Sequence, residues 1–519
     1  MSKVFAIRVT TPIGGADILN LVLLVCVAAA GAAITLAPGA TETPEGIAAP
    51  ADGAPPAIAS GFASEPAINS PRITGATPGR PFLFRIPATG EPPLTYTARN
   101  LAAGLSLDAS TGIVSGALES AGSTDVGITV CNARGAADST LTIVGGDRKL
   151  ALTPPMGWNS WNAWGIVVDD AKVRAAADAL VASGLAAQGY QYVNIDDSWT
   201  DRRGPDGVLK PNKRFPDMKA LAAYVHAKGL KIGIYSSPGP KTCQGYEGSY
   251  GYEQIDARTF AEWGFDYLKY DWCSYFNILD EKTASRQQMR APFRIMREAL
   301  DTCGRDIVYS LCQYGLGNVW EWGRDAGANL WRTTTDIDDS WAGMSSIGFN
   351  QDDKRPFAGP GGWNDADMLV VGQVGWGPLL RATRLTKNEQ VTHITLWCLL
   401  AAPLLIGCDL TQLDKFTRDL LGNPEVIAVD QDPLGKPAAR ITRNGFEEIW
   451  CKPLADGSRA VGLFNRRPVS ADVSLDLSEL GLTGPQQFRN LWSRQDIGPR
   501  QSFTVPPHGA ILLKLSIEK

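Results

Sequence analysis

The stretch Tyr267-Leu-Lys-Tyr-Asp-Trp-Cys273 indicates the fold of the central part of this chain. Its apolar residues predict a short strand, and the strand ends in a carboxylate, Asp271, with no turn residue before it. Lys269 comes two residues earlier and lies on the same strand face, because side chains alternate across a strand. A neighbouring ammonium keeps a carboxylate ionised and usable as a nucleophile. The alternative is a structural Lys–Asp pair at the end of the strand.

The same arrangement recurs along residues 148–426, where short apolar strands alternate with amphipathic helical patterns. Eight such units predict a (β/α)8 barrel, in which functional side chains gather at the carboxyl ends of the strands. The strand candidates are Met156–Trp161, Tyr192–Asp196, Lys231–Tyr235, Tyr267–Asp271, Ile307–Leu311, Trp331–Asp336, Asp367–Val371 and Leu404–Cys408.

A second acidic strand end is Thr335-Asp-Ile-Asp-Asp-Ser-Trp341. Asp336 closes a predicted strand, and Arg332 lies four residues back on the same face. Asp338 and Asp339 follow at once, so spacing alone leaves open which of the three carboxylates is functional, since any one could be a helix N-cap or a solvated loop residue. Two carboxylates that face each other across a pocket are what glycosidic bond cleavage requires.

Further acids and aromatic residues end other predicted strands. Asp196 and Asp197 in Asn194-Ile-Asp-Asp-Ser-Trp199 are suited to accept hydrogen bonds from adjacent sugar hydroxyls. They could instead bind a cation, but no further carboxylate cluster in the sequence completes a cage. Trp161 ends one more of these strands, and flat apolar rings suit the C–H face of a sugar. Asp365 and Asp367, in Gly361-Gly-Trp-Asn-Asp-Ala-Asp-Met368, add two carboxylates after a Gly-rich approach. Together these residues predict a carbohydrate site.

Composition excludes several other classes of function. The net charge is −5 and no block of Lys or Arg stands out, so we expect no nucleic-acid partner. The three histidines, His226, His393 and His508, are far apart and no Cys-rich spacing occurs. We therefore expect no metal site built on His or Cys ligands.

The first 40 residues predict export. Lys3 and Arg8 precede an apolar run from Ile18 to Ala37, which is typical of a secretory signal. The run also approaches the ~20 residues that span a bilayer, so an uncleaved membrane anchor is the alternative. We expect a periplasmic or extracellular protein. Residues 41–71, rich in Pro, Ala, Gly and Ser, predict a flexible linker.

Two further domains flank the predicted barrel. Residues 72–147 show short alternating runs split by turn residues, which predict a small antiparallel sandwich. Its segment Gly104–Gly116 resembles the Ig-like modules of bacterial surface enzymes. The resemblance implies a spacer or, alternatively, a module that binds sugar or the cell wall and so associates with the cell surface. Residues 427–519 return to alternation and predict a C-terminal antiparallel β-sandwich. The predicted fold is thus multidomain, a (β/α)8 barrel between two β-sandwiches.

From about Leu150 to Gly435 the chain resembles glycoside hydrolase family 27 of clan D, the α-galactosidases (melibiases) and α-N-acetylgalactosaminidases. The motifs that carry the resemblance occur in the family order: Pro155-Met-Gly-Trp-Asn-Ser-Trp, Ile195-Asp-Asp-Ser-Trp, Tyr267-Leu-Lys-Tyr-Asp-Trp-Cys, Asp336-Ile-Asp-Asp-Ser-Trp, Gly361-Gly-Trp-Asn-Asp-Ala-Asp-Met and Asp430-Gln-Asp-Pro-Leu-Gly-Lys.

The resemblance implies an exo-acting retaining α-galactosidase that releases terminal α-D-galactosyl residues from oligo- or polysaccharides without a cofactor. It makes Asp271 the nucleophile and Asp336 the acid/base, which resolves the choice among the three loop carboxylates. The other implied roles are sugar binding by Trp161, Asp196, Asp197, Tyr235, Lys269, Gln313, Leu316, Arg332 and Asp367, and a disulfide between Cys243 and Cys273.

The chain departs from the family pattern at one specificity position. Gln313 replaces a glutamate of galactose-preferring members, while Leu316 matches the bulky residue that blocks a 2-acetamido group. We therefore expect galactose rather than N-acetylgalactosamine. Retention of both Asp196 and Asp197 argues against β-L-arabinopyranosidase activity, whose sugar lacks the 6-OH. A non-catalytic sugar-binding surface protein is the remaining alternative.

Overall fold

The computed structural model describes residues 57–517. The predicted export segment and most of the predicted linker lie outside these residues. Within residues 57–517, no helix is long and apolar enough to cross a membrane.

The N-terminal part of the described chain is a small β-sandwich, as predicted. A four-stranded sheet of order β2-β9-β8-β5 faces a three-stranded sheet of order β3-β7-β6, and Phe84, Val114 and Val130 are buried between them. One pairing, β2 with β9, is parallel rather than antiparallel. The strands are β1 (Ala67–Ile68), β2 (Ile73–Ala76), β3 (Pro81–Arg85), β4 (Ala88–Thr89), β5 (Thr95–Arg99), β6 (Leu105–Leu107), β7 (Ile113–Ala117), β8 (Gly122–Asn132) and β9 (Gly135–Gly145).

The central part is the predicted parallel barrel. Its eight strands are β10 (Met156–Asn159), β11 (Tyr192–Asn194), β14 (Lys231–Ser236), β15 (Tyr267–Asp271), β16 (Val308–Cys312), β17 (Leu330–Arg332), β18 (Trp363–Asp365) and β21 (Leu404–Ile406). Each pairs in parallel with its neighbours. The backbone at Leu369, just after β18, pairs with Ile406 of β21, which closes the sheet on itself.

Two short hairpins extend the carboxyl ends of the barrel strands. They are formed by β12 (Thr200–Arg203) with β13 (Leu209–Pro211) and by β19 (Gln373–Val374) with β20 (Arg381–Ala382). The second hairpin follows β18, and its connecting turn contains Trp376.

Helices follow most of the strands and cover the sheet. The longer ones begin at capping side chains, for example Ser285 and Thr386, each with a reciprocal Gln or Glu three residues on. The α-helices are α1 (Trp161–Trp164), α2 (Asp170–Ala182), α3 (Met218–His226), α4 (Glu253–Trp263), α5 (Arg286–Thr302), α6 (Val319–Trp322), α7 (Trp341–Gly348), α8 (Lys387–Leu400), α9 (Lys415–Leu421) and α10 (Pro424–Asp430).

Two strand predictions were wrong in their bounds. Strand β17 ends at Arg332, so Asp336 lies on the following loop rather than at a strand end. The seventh strand pairs at Trp363–Asp365, not at Asp367–Val371. In both places a carboxylate makes a local hydrogen bond just beyond the end of the strand. Asp336 accepts from Arg332, and Asp365 accepts from the Asp367 N–H at 2.8 Å.

The C-terminal part is the predicted antiparallel sandwich. Its main sheet has the order β22-β23-β24-β29-β26-β27, and β25 pairs with β28 across a core that includes Val461, Leu463 and Leu513. The strands are β22 (Ala439–Asn444), β23 (Glu447–Pro453), β24 (Arg459–Asn465), β25 (Ala471–Ser474), β26 (Gln486–Asn490), β27 (Gln495–Ile497), β28 (Ser502–Val505) and β29 (Ala510–Ile517).

Candidate active site

A cavity of about 240 Å³ opens at the carboxyl ends of the barrel strands. Strands β14, β15 and β17 contribute side chains directly, and the segments that follow β10, β11, β14, β16, β17 and β18 contribute the rest. The lining residues are Trp161, Asn162, Asp196, Asp197, Tyr235, Cys243, Gln244, Lys269, Asp271, Tyr314, Arg332, Asp336, Asp367, Met368 and Trp376.

Asp271 lies deep in this cavity as the last residue of β15 and is only 5% exposed. Both of its carboxylate oxygens are held: the Tyr235 hydroxyl donates to Oδ2 at 2.9 Å, and the Tyr314 hydroxyl donates to Oδ1 at 2.6 Å. Burial raises the pKa of Asp271, while Lys269 and the Tyr314 hydroxyl act in the opposite direction. The carboxylate is thus fixed in orientation and faces the cavity.

Asp336 lies on the loop after β17, and its side chain is 68% exposed. Its one protein ion pair is with Arg332, whose Nη2 is 3.0 Å from Oδ1. Burial raises the pKa of Asp336, but the charges of Arg332 and Lys269 more than offset this, so the pKa lies below its usual range. Because its side chain is largely exposed, Asp336 lies on the open side of the cavity, whereas the buried Asp271 lies at its floor.

Arg332 connects the two sides of the cavity. It is 2% exposed, and its second guanidinium nitrogen, Nη1, binds Asp367 Oδ1 at 2.9 Å. The other oxygen of Asp367 accepts the backbone N–H of Ile337 at 2.8 Å, so the residue after Asp336 is pinned as well. Asp367 has a positive φ of 79°, which is uncommon for a residue with a Cβ and turns its carboxylate back toward the loop.

Asp196 and Asp197 follow β11 and are both 2% exposed. Asp196 accepts hydrogen bonds at 2.8 Å from Lys269 Nζ and from Asn159 Nδ2. Asp197 accepts the backbone N–H of Gln244 at 2.9 Å, and burial raises its pKa to about 6. The direct partner of Lys269 is therefore Asp196, whereas its effect on Asp271 acts through space.

The Cys243–Cys273 disulfide is present, as predicted. It joins the loops that follow β14 and β15, and Cys243 lines the cavity. The hydroxyl of Tyr235 lies 3.3 Å from Cys273 Sγ, so the disulfide packs beside the side chains that hold Asp271.

Nine of the residues predicted from the sequence line this one cavity: Trp161, Asp196, Asp197, Tyr235, Lys269, Asp271, Arg332, Asp336 and Asp367. Gln313 and Leu316 are not among the lining residues. Gln313 is fully buried, and neither its amide oxygen nor its nitrogen has a partner among residues 57–517. Leu316 is half-buried beside the core.

Sequence reasoning missed several lining residues. Tyr314 is two positions past the end of β16, so its place near the barrel mouth was readable, but nothing in the pattern joined it to Asp271. Gln244 was not expected because it approaches through a backbone N–H, which any residue supplies. Trp376 lies far from every strand-end motif, in a Gly-Trp-Gly turn of the hairpin between β19 and β20.

Comparison with protein families matches all three regions. A model described as alpha galactosidase A matches residues 153–432, one for the alpha galactosidase C-terminal beta sandwich domain matches residues 444–515, and an Ig-domain model matches residues 65–144. The first match spans more than half of the chain. This chain therefore belongs to the alpha galactosidase A family of glycoside hydrolases, the melibiases.

Individual relatives agree with the family match. The Arabidopsis thaliana protein alpha-galactosidase 2 is 43% identical over 379 residues, which cover 71% of this chain and 91% of that protein. A solved structure of alpha-galactosidase I from Mortierella vinacea has a TM-score of 0.66 and 34% identity, and covers 72% of this chain and 99% of its own. A solved Bacteroides fragilis structure has a TM-score of 0.83 and 38% identity, over 89% of this chain and 99% of its own.

Proposed function

We propose that this chain is an exo-acting retaining α-galactosidase that releases terminal α-D-galactosyl residues from oligo- or polysaccharides. The observation that carries the proposal is that two carboxylates, Asp271 and Asp336, line one cavity and are held in different ways at its floor and its open side. Retaining hydrolysis needs two carboxyl groups about 5–5.5 Å apart, one as nucleophile and one as acid/base.

Asp271 is the proposed nucleophile. Its deep position and the two tyrosine hydroxyls leave it little freedom, which suits a group that must attack one carbon along one line. Asp271 is 5% exposed whereas the side chain of Asp336 is 68% exposed, so the leaving group is proposed to depart on the side of Asp336.

Asp336 is the proposed acid/base. It lies on the exposed side of the cavity, where a leaving group departs and where water enters. Arg332 orients it from behind through one oxygen and leaves the other oxygen without a protein partner among residues 57–517. Such a carboxyl can hold a proton toward the glycosidic oxygen.

The reaction then proceeds in two displacements. Asp271 attacks the anomeric carbon, the glycosidic C–O bond breaks, and the proton of Asp336 passes to the departing oxygen. In the second step Asp336 takes a proton from water, the water oxygen attacks the anomeric carbon, and the ester to Asp271 breaks. Two inversions give galactose with the starting α configuration.

The other polar lining residues are proposed to hold galactose hydroxyls. Asp196 and Asp197 present acceptors and Lys269 presents donors, all buried in the same corner. We assign Asp196 and Asp197 to the 4-OH and 6-OH, with Lys269 and Arg332 on neighbouring hydroxyls and Asp367 closing the pocket. The rings of Trp161 and Tyr235 are proposed to face the apolar side of the sugar.

The finer specificity and the setting of the enzyme are also proposals. A preference for galactose over a 2-acetamido sugar is proposed from the identities of Gln313 and Leu316 in the family pattern, although neither residue lines the cavity. We propose that the protein is exported by a signal within residues 1–40, and that residues 72–147, 148–426 and 427–519 act as Ig-like module, catalytic barrel and C-terminal sandwich. The predicted linker, residues 41–71, is too long at its end, because Ala67–Ile68 pairs with Ala88–Thr89 of the Ig-like module. The Ig-like module is proposed as a spacer at the cell surface.

A panel of p-nitrophenyl glycosides tests the activity. We expect the α-D-galactoside to be hydrolysed far faster than the α-N-acetylgalactosaminide and the β-L-arabinopyranoside, and NMR to show α-galactose as the first product. The Asp271→Asn variant, prepared identically, controls for contaminating enzymes. A faster reaction on either competing glycoside, or β-galactose as the first product, would contradict the proposal, and galactose binding without any hydrolysis would indicate a non-catalytic sugar-binding protein.

A further inference from the structure

The hairpin of β19 and β20 carries one bulky residue that the proposed mechanism leaves without a role. Trp376 lies in its connecting turn, is half-buried, and lines the cavity that contains Asp271 and Asp336. Its φ is 52°, in the left-handed region, although a glycine stands on either side of it. A large side chain is strained in that region, and such residues cluster at functional sites.

The turn is docked on helix α1, which begins at Trp161. The backbone N–H groups of Gly375 and Trp376 both donate to the carbonyl of Asn162, at 2.8 and 2.9 Å. Gly165 ends the helix, and a Cβ there would lie 2.5 Å from the Trp376 carbonyl oxygen. The absence of a side chain at Gly165 thus lets the turn approach closely, and Trp376 has a fixed position relative to Trp161.

The base of the same hairpin is bound to the loop of the proposed acid/base. Asp339, three residues after Asp336, is fully buried. It accepts from Arg381 Nη1 at 2.5 Å, and from the Arg384 backbone N–H and Nε at 2.8 and 3.0 Å. Asp336 and Trp376 are therefore carried by two segments that are joined through the buried carboxylate of Asp339, and the segment of Trp376 also packs on α1.

We propose that Trp376 is the platform for the leaving group of the α-galactoside, and so determines which aglycones the enzyme prefers. The inference rests on the proposed function. The floor of the cavity is occupied by charged groups that suit galactose hydroxyls, whereas Trp376 is an apolar ring tied to the loop of the residue that protonates the departing oxygen. A flat ring at that place favours a leaving group with a flat apolar face, a second pyranose or an aryl ring, over a small alkyl group.

The Trp376→Ala variant tests this on melibiose, p-nitrophenyl α-galactoside and methyl α-galactoside. We expect kcat/KM to fall about tenfold for melibiose and for the aryl galactoside, because stacking is lost. For methyl α-galactoside, and for inhibition by free galactose, we expect a change of less than about twofold, because neither has a ring beyond the galactose. Trp376→Phe, which keeps a smaller ring, is expected to lie between the wild type and Trp376→Ala.

Leu379→Ala is the matched control, because Leu379 is on the same turn, is 83% exposed and does not line the cavity. It should leave all three substrates unchanged, and thermal melting of each variant reports whether the hairpin remains folded. An equal loss on all three substrates, together with weaker galactose inhibition, would place Trp376 against galactose itself and overturn the inference. No change with any substrate would overturn it too. If the wild type hydrolyses none of the three, the proposed function fails before Trp376 is tested.

Discussion

Asp271 and Asp336 line one cavity but are positioned by different means. Asp271 ends a strand, is 5% exposed, and has both oxygens bound by tyrosine hydroxyls. Asp336 is on a loop, has a side chain that is 68% exposed, and has a single ion pair to Arg332. Strand register alone places the first carboxylate, whereas the second depends on ion pairs that connect its loop to β17, to Asp367 and to the β19–β20 hairpin.

The pKa values of the two carboxyl groups are also shifted in opposite directions. Burial raises the pKa of Asp271, and Arg332 with Lys269 lowers the pKa of Asp336. By pKa direction alone, Asp271 would be the acid and Asp336 the nucleophile. Geometry favours the opposite roles, since only Asp336 lies where a leaving group departs. With these roles, only a minority of the free enzyme has Asp271 ionised and Asp336 protonated at the same time.

The largest effect is expected from removal of the nucleophile, in Asp271→Gly. Hydrolysis should fall by a factor on the order of 10⁴ or more for every α-galactoside, because covalent attack is lost whatever the leaving group. Azide added to this variant can enter the space that the carboxylate leaves. It should displace the leaving group from that side, and NMR should show β-galactosyl azide.

The configuration of the azide product decides between the two role assignments. If Asp271 were the acid, the variant would still form a galactosyl-enzyme through Asp336, and azide would give the α product. Formation of α-galactosyl azide by Asp271→Gly would therefore exchange the roles proposed above.

A smaller and substrate-dependent loss is expected from Asp336→Gly. Loss of acid assistance should lower kcat/KM for melibiose by about 10³-fold, within the usual range for general acid catalysis. The p-nitrophenyl galactoside should lose less, since its leaving group departs readily without a proton. Azide should react with the galactosyl-enzyme from the open side and give α-galactosyl azide, which NMR identifies.

Asp338→Asn is the control for this loop. Asp338 is two residues from Asp336, and its Oδ1 accepts the backbone N–H of Ser340, which an asparagine oxygen also accepts. Its ion pair with Arg384, at 3.9 Å, is exposed and so contributes little. We expect its activity on both substrates to stay within about twofold of the wild type. A leaving-group-dependent loss in Asp338→Asn instead of Asp336→Gly would show that the wrong carboxylate of the three was chosen.

The same contrast explains what the sequence could predict. Asp271 was found from a strand end, because a barrel strand carries its last side chains to the mouth whatever the loops do. Tyr235 was named only because the family resemblance implies it. Spacing alone could not select Asp336, since its position depends on Arg332 and on residues far along the chain. Tyr314 and Trp376 were missed because both have positive φ values, which turn side chains in directions that no strand or helix period encodes.

Asp339→Asn tests how far the loop depends on the hairpin. The change keeps the size of the side chain but removes the charge that Arg381 and Arg384 share. We expect kcat to fall between about tenfold and a hundredfold, because a shift of about 1 Å in a catalytic group has effects of this size. KM for methyl α-galactoside should change little, since Asp339 does not line the cavity.

Asp306→Asn is the matched control, because Asp306 also accepts from an arginine, Arg80, and from a backbone N–H, but between the Ig-like sandwich and the barrel. It should affect thermal stability without affecting kcat. An equal loss of kcat in both variants would mean that kcat falls because the whole fold is destabilised, and not because the loop of Asp336 is displaced.

The smallest effect is expected at the buried carboxylate, Asp271, from the Tyr314→Phe variant. The variant removes the 2.6 Å hydrogen bond to Asp271 and leaves that of Tyr235, so kcat/KM should fall about tenfold, as for the loss of one hydrogen bond to a charged group. The Tyr314 hydroxyl lowers the pKa of Asp271, so its removal raises that pKa further. Because Asp271 has the higher pKa of the two carboxyl groups, its ionisation appears as the basic limb of the pH profile of kcat/KM, and that limb should move to higher pH. Tyr224→Phe, which removes a hydroxyl bound to Asp178 on the outer helices, should leave the profile unchanged. An unmoved basic limb in Tyr314→Phe would mean that the ionisation of Asp271 is set by Lys269 and burial alone.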